Sequence, residues 1–275
     1  MAGGVRQLLP EELSVASDGG RAGPGEPLRE RMMIVLVGLT GAGKTTTVGR
    51  LQALPRLAAT LPDRRALTDR LILPMMTGSP DPVSDRLERF RLTAAFKDRH
   101  PGGMGDVLGW LMLPPGLPPG PVLFDGLRGE AEAAAAATGL PEARFLVLEC
   151  SAVGRLRRLC GRNDPFDRAA LGQAEPAATD AVAAMRRALA ASGFDTLVAP
   201  AVAGRIAVEL AGAGIDPADV AGKAAIIVEE SRHYDPAAAR AALLLRAPSR
   251  TLVIDTDALG SDQVAATAVA WSAAA

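Results

Sequence analysis

Short apolar runs alternate with segments of helical spacing along most of the chain. Each run is bounded by glycine or by an acidic residue, which is typical of buried strands. The predicted strands are Met32–Val37, Val122–Asp125, Phe145–Glu149, Ala224–Val228 and Thr251–Ile254. The predicted helices cover residues 44–54, 83–99, 129–138, 153–160 and 262–273. Strands that alternate with helices predict an α/β, three-layer fold with a mostly parallel sheet and helices on both faces.

The remaining segments are distinguished by glycine, proline and alanine. Residues 1–30 contain glycine pairs and polar residues without periodicity, so a flexible N-terminal tail is predicted there, followed by one domain over 31–275. Residues 101–105 are predicted to form a flexible loop, and the prolines of 114–121 a stiff connector. Residues 163–222 are rich in alanine and glycine and have weak patterning.

Composition excludes several classes of protein. Hydrophobic residues make up 48% and charged residues 22% of the chain, and the net charge is −1, which argues against a polybasic binder of nucleic acid or membranes. Cys150 and Cys160 are the only cysteines, too few for a disulfide framework or a four-cysteine zinc site. No apolar run reaches the ~20 residues of a membrane span. The acidic residues of the first thirty are unlike a signal peptide, so we expect a cytoplasmic protein without a membrane partner.

One segment carries a complete motif for phosphate binding. Residues 38–45 read GLTGAGKT and match G-x-x-x-x-G-K-[ST], between a predicted strand and a predicted helix. Glycines let backbone N–H groups surround a phosphate, and the following helix directs its positive end at it. Lys44 is predicted to bind the β- and γ-phosphates of ATP, and the Thr45 hydroxyl to bind Mg²⁺. The predicted nucleotide-binding residues are Gly38, Leu39, Thr40, Gly41, Ala42, Gly43, Lys44, Thr45 and Thr46.

The phosphate loop, as we call residues 38–45, does not by itself separate kinases from other nucleotide-binding proteins. The guanine-reading N/T-K-x-D segment of GTPases is absent around each of the three lysines, Lys44, Lys97 and Lys223. The L-S-G-G-Q signature of transporter ATPases is also absent. These absences favour ATP-dependent phosphoryl transfer over a GTPase or a transporter motor.

Two further segments resemble the nucleoside monophosphate kinases of the P-loop kinase superfamily, adenylate kinases in particular. Residues 122–128 read VLFDGLR, a strand that ends in Asp-Gly with an arginine close behind, and FLVLE at 145–149 leads into a helix that ends Arg158-Leu-Cys-Gly-Arg162. The resemblance covers about 32–52 and 121–165. It implies a P-loop NTPase fold with an acceptor-side segment at 55–115, an enlarged helical lid and insert at 155–245, and transfer of the γ-phosphoryl group of Mg·ATP to a small acceptor.

The resemblance also implies roles for individual residues. Asp125 would hold Mg²⁺ or orient the acceptor, or else cap the next helix. Arg128 would stabilise the transferred charge, or else pair with Glu130 or Glu132. Arg158 and Arg162, four residues apart, would clamp the triphosphate when the lid closes, or else form a plain solvated helix face. Arg155 and Arg157 are predicted to be solvated. The predicted catalytic residues are Lys44, Asp125, Arg128, Arg158 and Arg162.

The acceptor side has candidates but no single motif. Arginines there would suit an acceptor phosphate or carboxylate, and an aspartate or His100 would serve as base. The candidates are Asp63, Arg64, Asp69, Arg91 and Asp106. A polar cluster at 229–235 follows the predicted strand Ala224–Val228, which would place it at the ligand crevice or in a solvated turn.

Two alternatives to a kinase stay open. One is an ATPase or nucleotide switch that acts through a partner protein, with residues 163–245 as its interaction module. The other is a nucleotide-binding protein that has lost its chemistry. For the kinase, the acceptor would be a nucleotide or another small phosphorylated or hydroxylated metabolite.

Overall fold

The computed structural model describes residues 5–15, 25–161 and 181–273. Its strands are β1 (Arg6–Gln7), β2 (Ser14–Val15), β3 (Glu26–Pro27), β4 (Met33–Val37), β5 (Ala59–Thr60), β6 (Leu111–Leu113), β7 (Val122–Leu127), β8 (Ala143–Glu149) and β9 (Thr251–Asp255). The central sheet has six parallel strands in the order β1-β5-β7-β4-β8-β9. Three short antiparallel strands form a second sheet in the order β2-β6-β3.

The α-helices among the described residues fall into two groups, those that flank the two faces of the central sheet and those that form a separate core described below. They are α1 (Lys44–Leu51), α2 (Arg64–Leu67), α3 (Leu73–Thr77), α4 (Arg86–Arg99), α5 (Met104–Trp110), α6 (Glu130–Gly139), α7 (Ala152–Cys160), α8 (Ala181–Ala191), α9 (Pro200–Gly212), α10 (Pro217–His233), α11 (Pro236–Arg246) and α12 (Ser261–Ala273). A π-helical segment, Thr68–Ile72, joins α2 to α3. Short 3₁₀ turns occur at Pro10–Glu12, Leu28–Glu30, Phe194–Thr196 and Pro248–Arg250.

Strand β4 is buried on both faces, which explains its uninterrupted apolar run. Met33, Val35 and Val37 belong to a core that includes residues of α5, α6 and α11. Ile34 and Leu36 belong to a second core with residues of α1 and α12. Because successive strand residues point to opposite faces, this alternation places one helical layer on each side of the sheet. The predicted α/β fold with a parallel sheet flanked by helices is confirmed at this level.

A third core lies outside the sheet. Helices α7 to α10, which we call the helical insert (described residues 152–161 and 181–233), bury large side chains against one another, among them Leu156, Met185, Phe194 and Ile206. The insert therefore has apolar anchors that the alanine-rich pattern did not predict. Helix α11 instead packs against α6, in the core that contains Met33, Val35 and Val37 of β4. The insert thus ends near residue 233 and not at the predicted 245.

The predicted strand Ala224–Val228 is wrong, because these residues lie within α10. Val220, Ala224 and Ile227 are buried at helical spacing. A short apolar run cannot be assigned from periodicity alone. The N-terminal signal of the helix was present in the sequence: Asp216 accepts a hydrogen bond from the Ala218 N–H at 3.0 Å, and Pro217 follows it.

Two segments predicted to be flexible are packed. Leu8, Leu13 and Leu28 of the predicted tail are buried, and β1 pairs with β5 at the edge of the sheet. The predicted loop at 101–105 contains the start of α5. A Cβ on Gly105 would lie 2.2 Å from the Glu132 carbonyl oxygen. The glycine there therefore permits close packing of α5 on α6.

None of the helices among the described residues is both long enough and apolar enough to cross a membrane.

Candidate functional site

The phosphate loop leaves β4 at the carboxyl edge of the sheet and continues into α1. Beyond β4 the chain goes to β5 on one side of the sheet, and beyond β8 it goes to β9 on the other. The carboxyl ends of β4 and β8 therefore border the crevice in which open α/β sheets bind ligands. Gly41 and Gly43 have φ values of +84° and +94°, and no side chain caps α1. The first N–H groups of α1 are thus available to an anion.

Lys44 and Asp125 meet at the edge of two neighbouring strands. The pairing of β4 with β7 shifts by one residue just after Asp125, and the Lys44 Nζ lies 3.9 Å from the Asp125 Oδ1. Nζ also donates a hydrogen bond to the Leu39 carbonyl oxygen at 3.0 Å. Oδ1 of Asp125 is buried and has no hydrogen-bond partner among the residues that the structure describes. Burial lowers the pKa of Lys44 and raises the pKa of Asp125, each partly offset by the opposite charge.

The most highly connected carboxylate of the site is Glu230, near the end of α10. It accepts hydrogen bonds from the Thr40 N–H at 3.0 Å, the Thr40 hydroxyl at 2.6 Å and the Arg128 Nη1 at 2.7 Å, and it pairs with Arg155. The polar cluster at 229–235 does supply a group to the crevice, but from a helix of the insert and not from a strand end. The sequence signal was the cluster itself, which did not identify Glu230 within it.

Arg155 was predicted to be solvated, and this is wrong because it is 3% exposed. Its Nε donates to the Thr40 carbonyl oxygen at 2.7 Å. The backbone of Arg155 approaches Gly41 so closely that a Cβ there would lie 3.0 Å from the Arg155 carbonyl oxygen. Ser151 fixes the start of α7 by accepting from the Gly154 N–H at 3.0 Å. The first turn of α7 therefore rests on the phosphate loop.

Arg158 lies one turn further along α7 and joins three segments. Its Nη1 donates to the Gly41 carbonyl oxygen at 3.3 Å and to the Thr256 hydroxyl at 2.8 Å, and Nη2 donates to the Thr256 carbonyl oxygen. Arg157 instead forms an exposed ion pair with Glu209. The other arginine of the predicted clamp, Arg162, lies outside the described residues.

Arg128 faces the insert. The alternative prediction for Arg128, an ion pair with Glu130 or Glu132, is not found, because its guanidinium group pairs with Glu230. The backbone N–H of Arg128 does donate a hydrogen bond to the Glu132 Oε2 at 3.3 Å. Among the described residues, Nε of Arg128 is buried and has no hydrogen-bond partner. The guanidinium group therefore keeps a buried donor that a ligand could engage beside Glu230.

The acceptor-side candidates have different contacts in the structure. Arg64 forms a bidentate ion pair with Glu132, with distances of 2.7 and 2.5 Å, and also donates to the Gly126 carbonyl oxygen at 2.8 Å. Asp63 caps α2 by accepting from the Ala66 N–H at 2.8 Å. These two residues therefore have structural roles.

Three other candidates lie on α4, on α5 or beside them. Asp69 pairs with Arg89 at 2.5 Å, Asp106 packs against Gly102, and Arg91 is exposed on α4. His100, the candidate base, lies 4.8 Å from the Phe96 ring and 4.9 Å from the Trp110 ring, measured between centroids. The aromatic contacts give His100 a packing role.

A pocket of about 240 Å³ adjoins the phosphate loop on the side of α12. Its lining includes Gly43, Thr46, Arg158, Thr256 and Leu259. Thr45 and Thr46 are exposed at the start of α1. The described residues contain no cluster of three His, Cys, Asp or Glu side chains that would enclose a metal ion. Mg²⁺ beside nucleotides needs only one or two protein oxygens, and the unpartnered Asp125 Oδ1 and the Thr45 hydroxyl are of that type.

Comparisons with protein-family models, with curated proteins and with solved structures find no match for the chain. Its function therefore has to be inferred from the geometry and chemistry of this site.

Proposed function

We propose that the protein is an ATP-dependent phosphotransferase of the P-loop kinase type. It would move the γ-phosphoryl group of Mg·ATP to a small acceptor, either a nucleotide or another small phosphorylated or hydroxylated metabolite. The observation that carries the proposal is the partly buried pair of Lys44 and Asp125, 3.9 Å apart at the head of a glycine loop. The pair lies in the crevice at the carboxyl edge of the sheet, and burial shifts the pKa of both members toward the neutral form, a combination that favours a functional site.

The side chains around the loop supply what phosphoryl transfer requires. Negative charge spreads over the equatorial oxygens of the transferred group, so the protein contributes positioning and positive charge more than covalent chemistry. Lys44, Arg128, Arg155 and Arg158 provide four cationic groups at or beside the loop. Asp125 and Thr45 would hold Mg²⁺, which neutralises the charge of the phosphates when it is bound.

The nucleoside of ATP and the acceptor would bind on different sides of the loop in this proposal. The pocket of about 240 Å³ beside Gly43 and Thr256 would accommodate the nucleoside, because it opens directly from the loop. Arg91 and Asp106 are left as the acceptor-side candidates whose side chains have no hydrogen-bond or ion-pair partner among the described residues. Arg64 and Asp69 are engaged in ion pairs and are not proposed to bind the acceptor.

The proposal is tested by thermal denaturation in the presence of ligands. A nucleotide that binds the folded chain raises its melting temperature, and the rise depends on ligand concentration. We expect Mg·ATP to stabilise the protein more than ATP with a chelator. Candidate acceptors are then added with Mg·ATP held constant, and consumption of ATP is measured. If no nucleoside triphosphate raises the melting temperature, the proposal is wrong.

A second candidate is an ATPase or nucleotide switch that acts through a partner protein. One observation favours it: the helical insert has its own core and contacts the loop through Glu230. ATP turnover without an acceptor distinguishes the two functions. A kinase hydrolyses ATP very slowly when its acceptor is absent, whereas an ATPase turns over alone or when its partner protein is added.

A further inference from the structure

Glu230 is 7% exposed, and its carboxylate is bonded by groups of the site described above. Oε1 accepts from the Thr40 hydroxyl and from Arg128, and Oε2 accepts from the Thr40 N–H and from Arg155. One of these donors is a backbone N–H of the phosphate loop, and two are guanidinium groups. Backbone N–H groups and guanidinium groups are the donors that bind phosphate oxygens in nucleotide sites.

The carboxylate also lies within electrostatic reach of Lys44. Asp125 and Glu230 both raise the pKa of Lys44, while Arg128 and Arg155 lower it, against the larger effect of burial. Glu230 thus lies among the cations that would surround the terminal phosphate of a triphosphate. The carboxylate of Glu230 is therefore a negative charge of the protein itself that neutralises these cations.

We propose that Glu230 occupies the position of the γ-phosphate in the nucleotide-free protein and is displaced by a triphosphate but not by a diphosphate. The inference rests on the proposed nucleotide site and goes beyond it, because it makes Glu230 a specificity-determining residue. A γ-phosphate and the carboxylate would compete for the donors of Thr40, Arg128 and Arg155. Both groups are negatively charged, so they would repel each other if both lay beside these donors. A diphosphate leaves the position to the carboxylate.

The displacement would reach the helical insert. Glu230 is carried by α10, and its neighbours on that helix, Ile227 and Val228, belong to the core of the insert. Losing the carboxylate's bonds to the loop removes the contact between α10 and Thr40. The two states here are the one with Glu230 bound to the loop and the one with Glu230 released. A ligand shifts the equilibrium between them only by the difference of its affinities for the two states. Part of the triphosphate's binding energy is therefore used to release Glu230.

Calorimetry on Glu230→Gln tests this inference. Glutamine keeps the size of the side chain and removes its charge, so the γ-phosphate no longer competes with an anion. We expect affinity for a nonhydrolysable Mg·ATP analogue to rise at least about tenfold, the scale of one charge-assisted hydrogen bond, and affinity for Mg·ADP to change less than about twofold. The matched control is Glu229→Gln, because Glu229 is exposed and pairs only with Arg232 and His233 of its own helix. It should change neither affinity.

Amide exchange in the unmodified protein gives a second readout that does not depend on the folding of the variant. The triphosphate analogue should speed exchange at 227–234, and Mg·ADP should leave it unchanged. Equal effects of the two nucleotides there, or equal changes of both affinities in Glu230→Gln, would overturn the role of Glu230 and leave the phosphotransferase proposal standing. An unmodified protein that binds neither nucleotide would overturn both.

Discussion

The ammonium group of Lys44 lies 3.9 Å from Oδ1 of Asp125, across the carboxyl ends of two neighbouring parallel strands. Burial disfavours the charged form of both groups more than their mutual attraction favours it. A partly buried charge pair at the head of a glycine loop supports the proposal that this crevice binds an anionic ligand.

Lys44→Ala should abolish turnover and weaken binding of Mg·ATP by at least about tenfold, because in the proposed site the lysine would supply charge to the β- and γ-phosphates. The fold should persist, since among the described residues Nζ bonds only to the Leu39 carbonyl oxygen and faces Asp125. The control is Lys97→Ala, which removes an exposed lysine that lies over the Tyr234 ring at 5.3 Å. Undiminished affinity of Lys44→Ala for Mg·ATP in calorimetry would contradict the assignment of the site.

Asp125→Asn should retain nucleotide affinity but reduce turnover by at least about 100-fold, the scale of losing one electrostatic contributor to catalysis. Its control is Asp255→Asn at the end of β9, where Oδ1 accepts from the Asp257 N–H at 2.9 Å. Asp255, like Asp125, lies at the carboxyl end of a strand, but its side chain bonds to the backbone of the turn that follows β9. An Asp125→Asn protein with normal turnover would show that the carboxylate is dispensable.

The same substitution should change stability with pH. Burial raises the pKa of Asp125 above its ordinary value of 3.8, opposed by Lys44 and Arg128, so the folded state holds this proton more tightly than the unfolded state. The stability it contributes is complete below pH 3.8 and is lost as the pH rises through the folded pKa. Asp125→Asn should therefore melt at a higher temperature than the unmodified protein at neutral pH. The difference should shrink toward pH 4, and one that does not depend on pH would contradict the assigned burial.

The layers of the fold could be predicted from the sequence because local patterns determine them. The run Met33–Val37 is buried on both faces and reads as a parallel strand. The turn between β4 and α1 could be predicted because its glycine motif is contiguous, while its binding of phosphate stays a prediction. Glu230 could not be assigned a position, since its contacts with Thr40 and Arg128 join residues 190 and 102 apart. Arg155 was misjudged for a similar reason: whether a helical arginine is solvated depends on what packs against its helix.

Arg64 shows how the acceptor side was misjudged. Its type and position suit an acceptor phosphate, but Glu132 on α6 binds it in a bidentate pair. Only the folded chain brings these two residues together, because they are 68 positions apart. Composition alone therefore cannot separate an arginine that binds a ligand from one that neutralises a buried acid.

The pair of Arg64 and Glu132 gives a test of that structural role. Arg64→Met should lower the free energy of unfolding by roughly 3 kcal/mol, because it leaves Glu132 buried and charged. The double variant Arg64→Met/Glu132→Leu should recover most of the loss, since both charges are then gone. Urea denaturation measures all three proteins. If the single variant is as stable as the unmodified protein but loses turnover, Arg64 belongs to the acceptor site after all.

Gly41 and Gly49 offer a matched pair of glycines, one in the loop and one in α1. Gly41 has φ +84°, and a Cβ there would lie 3.0 Å from the carbonyl oxygen and 3.1 Å from the Cα of Arg155. Nothing lies within 4 Å of a Cβ on Gly49. Gly41→Ala should therefore lower the free energy of unfolding by roughly 2–4 kcal/mol, from the left-handed backbone and from overpacking, whereas Gly49→Ala should raise it by about 0.5–1 kcal/mol through helix propensity.

The two variants should also separate the effects on the site. Alanine at position 41 forces the loop away from the first turn of α7, so the contacts of Arg155 and Arg158 with the loop carbonyl oxygens of Thr40 and Gly41 should loosen. Affinity for Mg·ATP should then fall by about tenfold or more, while Gly49→Ala retains full affinity. Calorimetry at a temperature where both variants are folded measures this. A stable Gly41→Ala protein with unchanged affinity would show that the loop does not need its contact with α7 to bind phosphate.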